Sequence, residues 1–242
     1  MIDRKIIIRK LVEQLSARDY IRAAWLAGAD SLEIVDGYSD IDLWIDVESG
    51  SEDNAIRLVR DSLEAFCEID YFFERKSSNN MTRQILIHLK GTSKFLILDI
   101  IIQTIGDATF FRTDTNNENP MILFDKKSVI KITKISQDYK KKLLGRRNYL
   151  LEEYSIIRID VEKEIARNNY FGAVHYYLIL TKVVVELLRI KYYPIRYDVG
   201  LKHAIHDFPK ELLPKIRKLF QFQEVEDVNN RLEIMESLIR KV

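Results

Sequence analysis

The chain has 242 residues, 47% hydrophobic and 31% charged, a globular composition that excludes a wholly disordered protein. Eight glycines and four prolines exclude collagen-like and linker-rich chains. The formal net charge of +1 conceals a division, because residues 1–120 hold 14 Lys+Arg against 21 Asp+Glu, whereas residues 121–242 hold 24 against 16. The halves are therefore −7 and +8, which points to two units with different jobs. The single cysteine, Cys67, excludes an intrachain disulfide and a cysteine-based zinc site, and reads as a packing residue.

Residues 4–17 space Ile7, Ile8, Leu11, Val12 and Leu15 as an amphipathic helix. Ile21 to Ala27 is an apolar run ending at Gly28 and reads as a buried strand. Ala29 to Ser39 reads as a loop. Asp40 to Val47 alternates strictly, with Asp40, Asp42, Trp44 and Asp46 on one face and Ile41, Leu43, Ile45 and Val47 on the other. That period of two predicts a strand. A helix follows from Ser51 or Glu52, carrying Ile56, Leu58, Val59, Leu63 and Phe66. Glu68–Phe73, Gln84–Leu89 and Phe95–Ile102 are strand candidates, broken at Ser77–Asn80 and Gly91–Ser93. Gly106 to Pro120 reads as an irregular connection, and Ile122 to Ile132 as a strand or hairpin turning at Asp125–Lys127. From Gln137 the period is helical almost to the end, with breaks at Asn168–Asn169, Tyr193–Pro194 and Phe208–Pro209. The expected class is α+β: a mixed sheet with flanking helices over 1–130, then an all-α helical bundle over 131–242.

Asp40 and Asp42 leave one strand face together, where their charges repel unless a cation lies between them. Asp99 sits in a strand apolar on both faces, where a lone carboxylate is costly to bury. A shared Mg²⁺ would relieve both problems, since that ion takes a few carboxylates, waters and substrate phosphate oxygens. The structural alternatives are a solvated strand face for Asp40 and Asp42, and a buried pairing for Asp99. Gly28, closing the preceding strand, lets backbone approach a polyphosphate without a Cβ in the way.

These residues resemble the nucleotidyltransferase superfamily, in its antibiotic-modifying and minimal nucleotidyltransferase branches. The family pattern is an apolar residue, Gly, Gly or Ser, a loop, then Asp-apolar-Asp. Here Leu26-Ala27-Gly28-Ala29 precedes ten residues (30–39) and Asp40-Ile41-Asp42. Asp99 matches the third carboxylate. The match covers residues 21–102, and the C-terminal helices are similar to the substrate domain of drug adenylyltransferases. Ala29 departs from the pattern and lacks a hydroxyl, so Ser31 or Ser39 would have to supply the phosphate donor. The resemblance implies catalytic and metal-binding roles for Asp40, Asp42 and Asp99, with Asp99 a base toward the acceptor. It implies nucleotide contacts from Gly28, Ala29, Ser31 and Ser39. It also implies Mg²⁺ as cofactor and ATP or another NTP as co-substrate.

The most apolar stretch, Phe171 to Ile190, contains Lys182, Glu186 and Arg189 and reads as the central bundle helix rather than a membrane span. Lys182 has two readings: a surface pair with Glu186, or, as in related enzymes, a contact to the triphosphate. His175, His203 and His206 are candidate proton acceptors, more ordinarily structural. Tyr192–Asp198 is a tyrosine-rich turn that caps the bundle or stacks on a ring-bearing ligand. Lys140–Lys142 with Arg146–Arg147 reads as a solvated basic face, with nucleic-acid binding as the alternative.

The expected function is Mg²⁺-dependent transfer of a nucleoside monophosphate to the hydroxyl of a small-molecule acceptor, of aminoglycoside or lincosamide type, and hence antibiotic resistance. The basic second half argues as strongly for a weakly charged acceptor. The rivals are a protein-modifying or antitoxin-like nucleotidyltransferase, and an RNA-tailing polymerase. The reading places the chain in the cytoplasm, with no membrane or nucleic-acid partner expected and homodimerisation left open.

Overall fold

The computed structural model describes residues 2–75, 81–104, 106, 108–113, 120–134 and 136–240. The chain divides into two compact units, 1–134 and 135–242. The first unit is built on a six-stranded mixed sheet. Its elements run α1 (Arg4–Ser16), β1 (Ile21–Leu26), α2 (Gly28–Ser31), β2 (Ile41–Val47), α3 (Glu52–Glu64), β3 (Ile69–Arg75), β4 (Thr82–Leu89), β5 (Leu98–Gln103), β6 (Thr109–Thr113), β7 (Met121–Asp125) and β8 (Ile130–Lys134). The strand order is β3-β4-β5-β2-β1-β7, with β2 and β5 parallel at the centre and the other neighbours antiparallel.

The period-two pattern decides the two faces. Ile41, Leu43, Ile45 and Val47 of β2, with Leu98, Ile100 and Ile102 of β5, pack on Ile7, Leu11 and Leu15 of α1 and on Ala55, Val59 and Leu63 of α3. All are buried, and this face forms the larger of the unit's two apolar clusters. On the opposite face Trp25 stacks on its register partner Trp44 at 5.9 Å, and Phe111 meets Trp25 edge-on. Ala23, Val129 and Ile130 complete that smaller cluster.

Three expectations are corrected. The stretch 106–120, read as irregular, contains β6; the breaks expected at 77–80 and over 114–119 lie outside the described residues. The segment 122–132 is not a hairpin, because β7 pairs with β1 whereas β8 pairs in parallel with β6. Asp125 explains the divergence: its carboxylate accepts Val129 N at 2.9 Å and Ile130 N at 3.0 Å, turning the chain out of the main sheet. The loop expected after Gly28 begins with the single turn α2.

The second unit comprises α4 (Gln137–Ala166), α5 (Tyr170–Tyr192), a 3₁₀ turn (Pro194–Arg196), α6 (Ala204–Asp207), α7 (Leu213–Lys218) and α8 (Val225–Ile239). Ser136 caps α4 by accepting Tyr139 N, and Asn169 caps α5 by accepting Gly172 N. Helix α5 is long and apolar enough to cross a membrane by length and composition. Here it is the core helix of its unit, with Tyr177, Leu180, Val184 and Leu188 buried against Leu150 and Val161 of α4 and Leu232 and Met235 of α8.

Candidate active site

The end of β1 is held on the start of β2 by Ala27 N donating to Asp42 O at 2.9 Å. The chain then turns at Gly28, whose φ of +58° lies in the left-handed region that favours glycine. Space is the second constraint. A Cβ on Gly28 would overlap Asp42 Oδ2 and lie 2.8 Å from Asp42 Cγ. The Asp42 carboxylate therefore rests against bare backbone.

Asp42 is the register partner of Asp99 across the parallel β2–β5 ladder. Neighbouring strands lie about 4.8 Å apart and register partners share a face, so the two carboxylates project side by side. They do so on the face away from α1 and α3, and both are half-buried. Gln84 of β4 donates Nε2 to both Asp99 oxygens, at 2.7 and 2.9 Å, and fixes the plane of that carboxylate. Sequence reading missed Gln84; the available signal was a lone amide at the head of the strand candidate Gln84–Leu89.

Asp40 is exposed just before β2, and its Oδ1 accepts Ile97 N at 3.1 Å. It fastens the segment entering β5 to the one entering β2. Of the three carboxylates expected from sequence, Asp42 and Asp99 adjoin across the ladder, and Asp40 stands at the exposed entry to β2 with Oδ1 on the Ile97 amide. Among the described residues no three Asp, Glu, His or Cys side chains form a ready metal cage. The donor set still fits Mg²⁺, which is ordinarily held by one or two carboxylates together with waters and substrate phosphates.

The hydroxyls assigned to phosphate are committed elsewhere. Ser31 Oγ donates to Gly28 O at 2.9 Å. Ser39 Oγ donates to Asp36 Oδ1 at 3.0 Å and accepts Asp36 N at 2.9 Å. The Tyr38 amide and the Ser39 hydroxyl hold the Asp36 carboxyl below its ordinary range. Ala29 lies in α2, where its carbonyl accepts Ile34 N at 3.0 Å. Neither serine replaces the missing hydroxyl without giving up its bond.

Arg4, the first residue of α1, is a second group that sequence reading missed. Its guanidinium takes both oxygens of Asp30, Nη1 to Oδ1 at 2.8 Å and Nη2 to Oδ2, and Nη2 also donates to Asp40 O at 2.8 Å. The Asp30 side chain is only 7% exposed. One cation thereby pins α2 and the start of β2, the two arms that bring Gly28 against Asp42. Asp46, read as part of a polar strand face, is fully buried. Arg22 Nε bonds it at 2.6 Å and Gln103 Nε2 at 2.9 Å, which makes burial tolerable.

Lys182 lies in the second unit, exposed on α5, and makes no ion pair among the described residues. The expected pair with Glu186 is not formed. Arg146 of α4 takes both Glu186 oxygens, at 2.7 and 2.9 Å, because its planar fork satisfies a carboxylate better than an ammonium does. Arg146 is therefore not part of a merely solvated basic face. His175, His203 and His206 all lie in the second unit; burial lowers the affinity of His203 for a proton.

No family model matches the chain, and no curated protein matches its sequence. Solved structures do match. JHP933 from Helicobacter pylori is 15% identical, with 98% of this chain and 90% of that one covered and a TM-score of 0.31. A nucleotidyltransferase-like protein from Exiguobacterium sibiricum is 11% identical over 99% of this chain and 75% of that one, with a TM-score of 0.39. A chain of the GLD-2/RNP-8 complex is 11% identical over 98% and 76%, with a TM-score of 0.33. All three likenesses are distant, and the chemistry has to be argued from the carboxylates.

Proposed function

We propose that the protein is a Mg²⁺-dependent nucleotidyltransferase that moves a nucleoside monophosphate, AMP from ATP, to a hydroxyl of a small-molecule acceptor. The observation that carries this reading is the pairing of Asp42 with Asp99 on parallel central strands, with Asp42 seated on the bare backbone of Gly28. Two adjacent half-buried carboxylates are an expensive arrangement that a divalent cation stabilises. Asp42 and Asp99 would hold Mg²⁺, which when bound neutralises the phosphate charge that builds up during transfer. Gly28 leaves room for the Asp42 carboxylate to sit against the backbone that opens α2. Asp40 and Arg4 keep the two arms of the site in place.

In the transfer itself the acceptor oxygen forms a bond to the α-phosphorus. The bond from that phosphorus to the bridging β-phosphate oxygen breaks, and pyrophosphate leaves with the electron pair. The hydroxyl proton passes to a carboxylate oxygen of Asp99. The Gln84 amide occupies one lone-pair direction on each of those oxygens and leaves another open.

The test is incubation with α-labelled ATP, Mg²⁺ and a panel of small hydroxylated compounds, proteins and RNA. Label on a small molecule that disappears in Asp42→Asn is the expected result. Transfer that is unchanged in Asp42→Asn, or label that goes to protein or RNA alone, refutes the reading.

A further inference from the structure

Two features of the sequence that the carboxylate site does not use meet in the second unit. Lys182 and the tyrosine-rich turn both line a cavity of about 600 Å³, within the roughly 300–1,000 Å³ typical of small-molecule sites. Its apolar wall consists of Leu178 and Val185 of α5, with Val199, Leu201 and Phe220.

The wall facing α5 is held rigidly. Arg189 is fully buried; its Nε donates to Gly200 O, its Nη2 to Lys202 O at 2.5 Å, and its Nη1 pairs with Asp207 Oδ2 at 2.7 Å. A buried guanidinium spent on two loop carbonyls fixes residues 200–202, so the cavity is preformed rather than moulded by its occupant.

The charges around the cavity define what it can take. Glu186 is neutralised by both bonds from Arg146. The Thr181 hydroxyl is spent on Tyr177 O at 2.8 Å. The remaining charged lining groups are Lys182 and Asp198, one of each sign, and neither makes an ion pair among the described residues. The acidic residues of α8 do not line the space. A polycation entering here would meet one open carboxylate for several ammonium groups and lose hydration without recompense.

We propose that this cavity binds a small amphipathic molecule: an apolar ring body lies against Leu178, Val185, Leu201 and Phe220, and a polar end carrying at most one charge lies at Lys182 and Asp198. The assignment of this molecule as the acceptor rests on the nucleotidyl-transfer reading, but its binding does not. The proposed site disfavours polycationic aminosugars and favours a largely apolar compound with a free hydroxyl.

The test titrates the full chain, without nucleotide, with neutral N-phenylnaphthylamine and anionic anilinonaphthalene sulfonate, followed by fluorescence, with spermine as competitor. Each dye should fill one saturable site, and spermine should displace neither. Leu201→Asp and Leu178→Asp, both at partly exposed positions, should weaken both dyes about tenfold by placing a charge in the apolar wall. Lys182→Gln should weaken the anionic dye alone. Melting temperatures equal to the parent's establish that either variant is folded. Absence of saturable binding, binding that survives both Asp substitutions, or displacement by spermine overturns the proposal. Asp42→Asn should bind both dyes like the parent, and a parent protein that binds the dyes but transfers no label to any acceptor counts against the nucleotidyl-transfer reading and not against the cavity.

Discussion

Replacing Gly28 with alanine tests the contact on which the active-site reading depends. Two costs can be separated. The backbone sits at φ +58°, and an L-residue there costs about 1–2 kcal/mol. The new methyl would also overlap Asp42 Oδ2 and lie 2.8 Å from Cγ, too close for any non-bonded carbon pair. The short Asp42 side chain relieves the overlap by rotating its carboxylate away, which costs little stability but displaces the oxygens by about an ångström. A displacement of that size costs on the order of 100-fold in rate when the displaced group positions the reacting atoms. The expected phenotype is therefore a modest fall in melting temperature with a disproportionate loss of function. Terbium luminescence sensitised by tryptophan provides a readout without turnover, because Trp44 lies two residues beyond Asp42 on β2 and the chain's only other tryptophan, Trp25, stacks on it. Gly28→Ala should weaken terbium binding about as much as Asp42→Asn. In the double variant Gly28→Ala/Asp42→Ala, the stability cost of the alanine should fall to the dihedral cost alone. Terbium affinity at the parent level in Gly28→Ala would refute the argument that Gly28 seats the Asp42 carboxylate.

Arg4→Ala should destabilise the first unit by about 2–3 kcal/mol, somewhat less than the roughly 3–5 kcal/mol for breaking a fully buried pair, because Arg4 retains some exposure; chemical denaturation measures this, and Arg4→Ala/Asp30→Ala should recover part of it. Arg189→Met leaves Asp207, at 6% exposure, to the longer 3.9 Å contact from Arg196 Nη1 and should cost about 3 kcal/mol in the second unit while abolishing dye binding, as circular dichroism and fluorescence would show. His88 predicts a pH dependence. Its Nδ1 meets Asp70 Oδ1 at 2.7 Å and its Nε2 meets Ser93 O at 3.1 Å, so only the imidazolium donates to both, and Asp70 first, then the Ser93 carbonyl, raises its proton affinity. With the folded value above the unfolded one, the stabilisation is fully present below about pH 6.5 and is lost as pH rises through the raised folded value. Denaturation followed on the two tryptophans should show that decline, and His88→Gln should flatten it.

The carboxylate strand shows how far local sequence reaches. Strict alternation over 40–47 assigned Asp42 to one face and the apolar partners to the other, because strand side chains alternate whatever surrounds them. The same rule placed Asp46 on the polar face but could not reveal that Arg22 and Gln103 would bury it. Alternation specifies a direction and leaves the environment undetermined. The β7–β8 segment failed for a related reason. A turn signal and two apolar runs describe a hairpin equally well whether the strands pair with each other or with β1 and β6, and the Asp125 side chain decided between them.

By itself the sequence determined the α+β class, the helices of the second half, the β2 strand, and the Gly28-to-Asp42 spacing. These are set by periodicity and by residue types whose conformational preferences are local. Tertiary structure alone decided that Asp42 and Asp99, 57 residues apart, are register partners, that Asp40 turns to the Ile97 amide, and that Gln84 and Arg4 hold the site. It also gave Glu186 to Arg146 and left Lys182 on a cavity wall. Each of these depends on which distant segments pack together, and the choice of partner is made by register, geometry and burial over the whole unit, which no window of sequence contains.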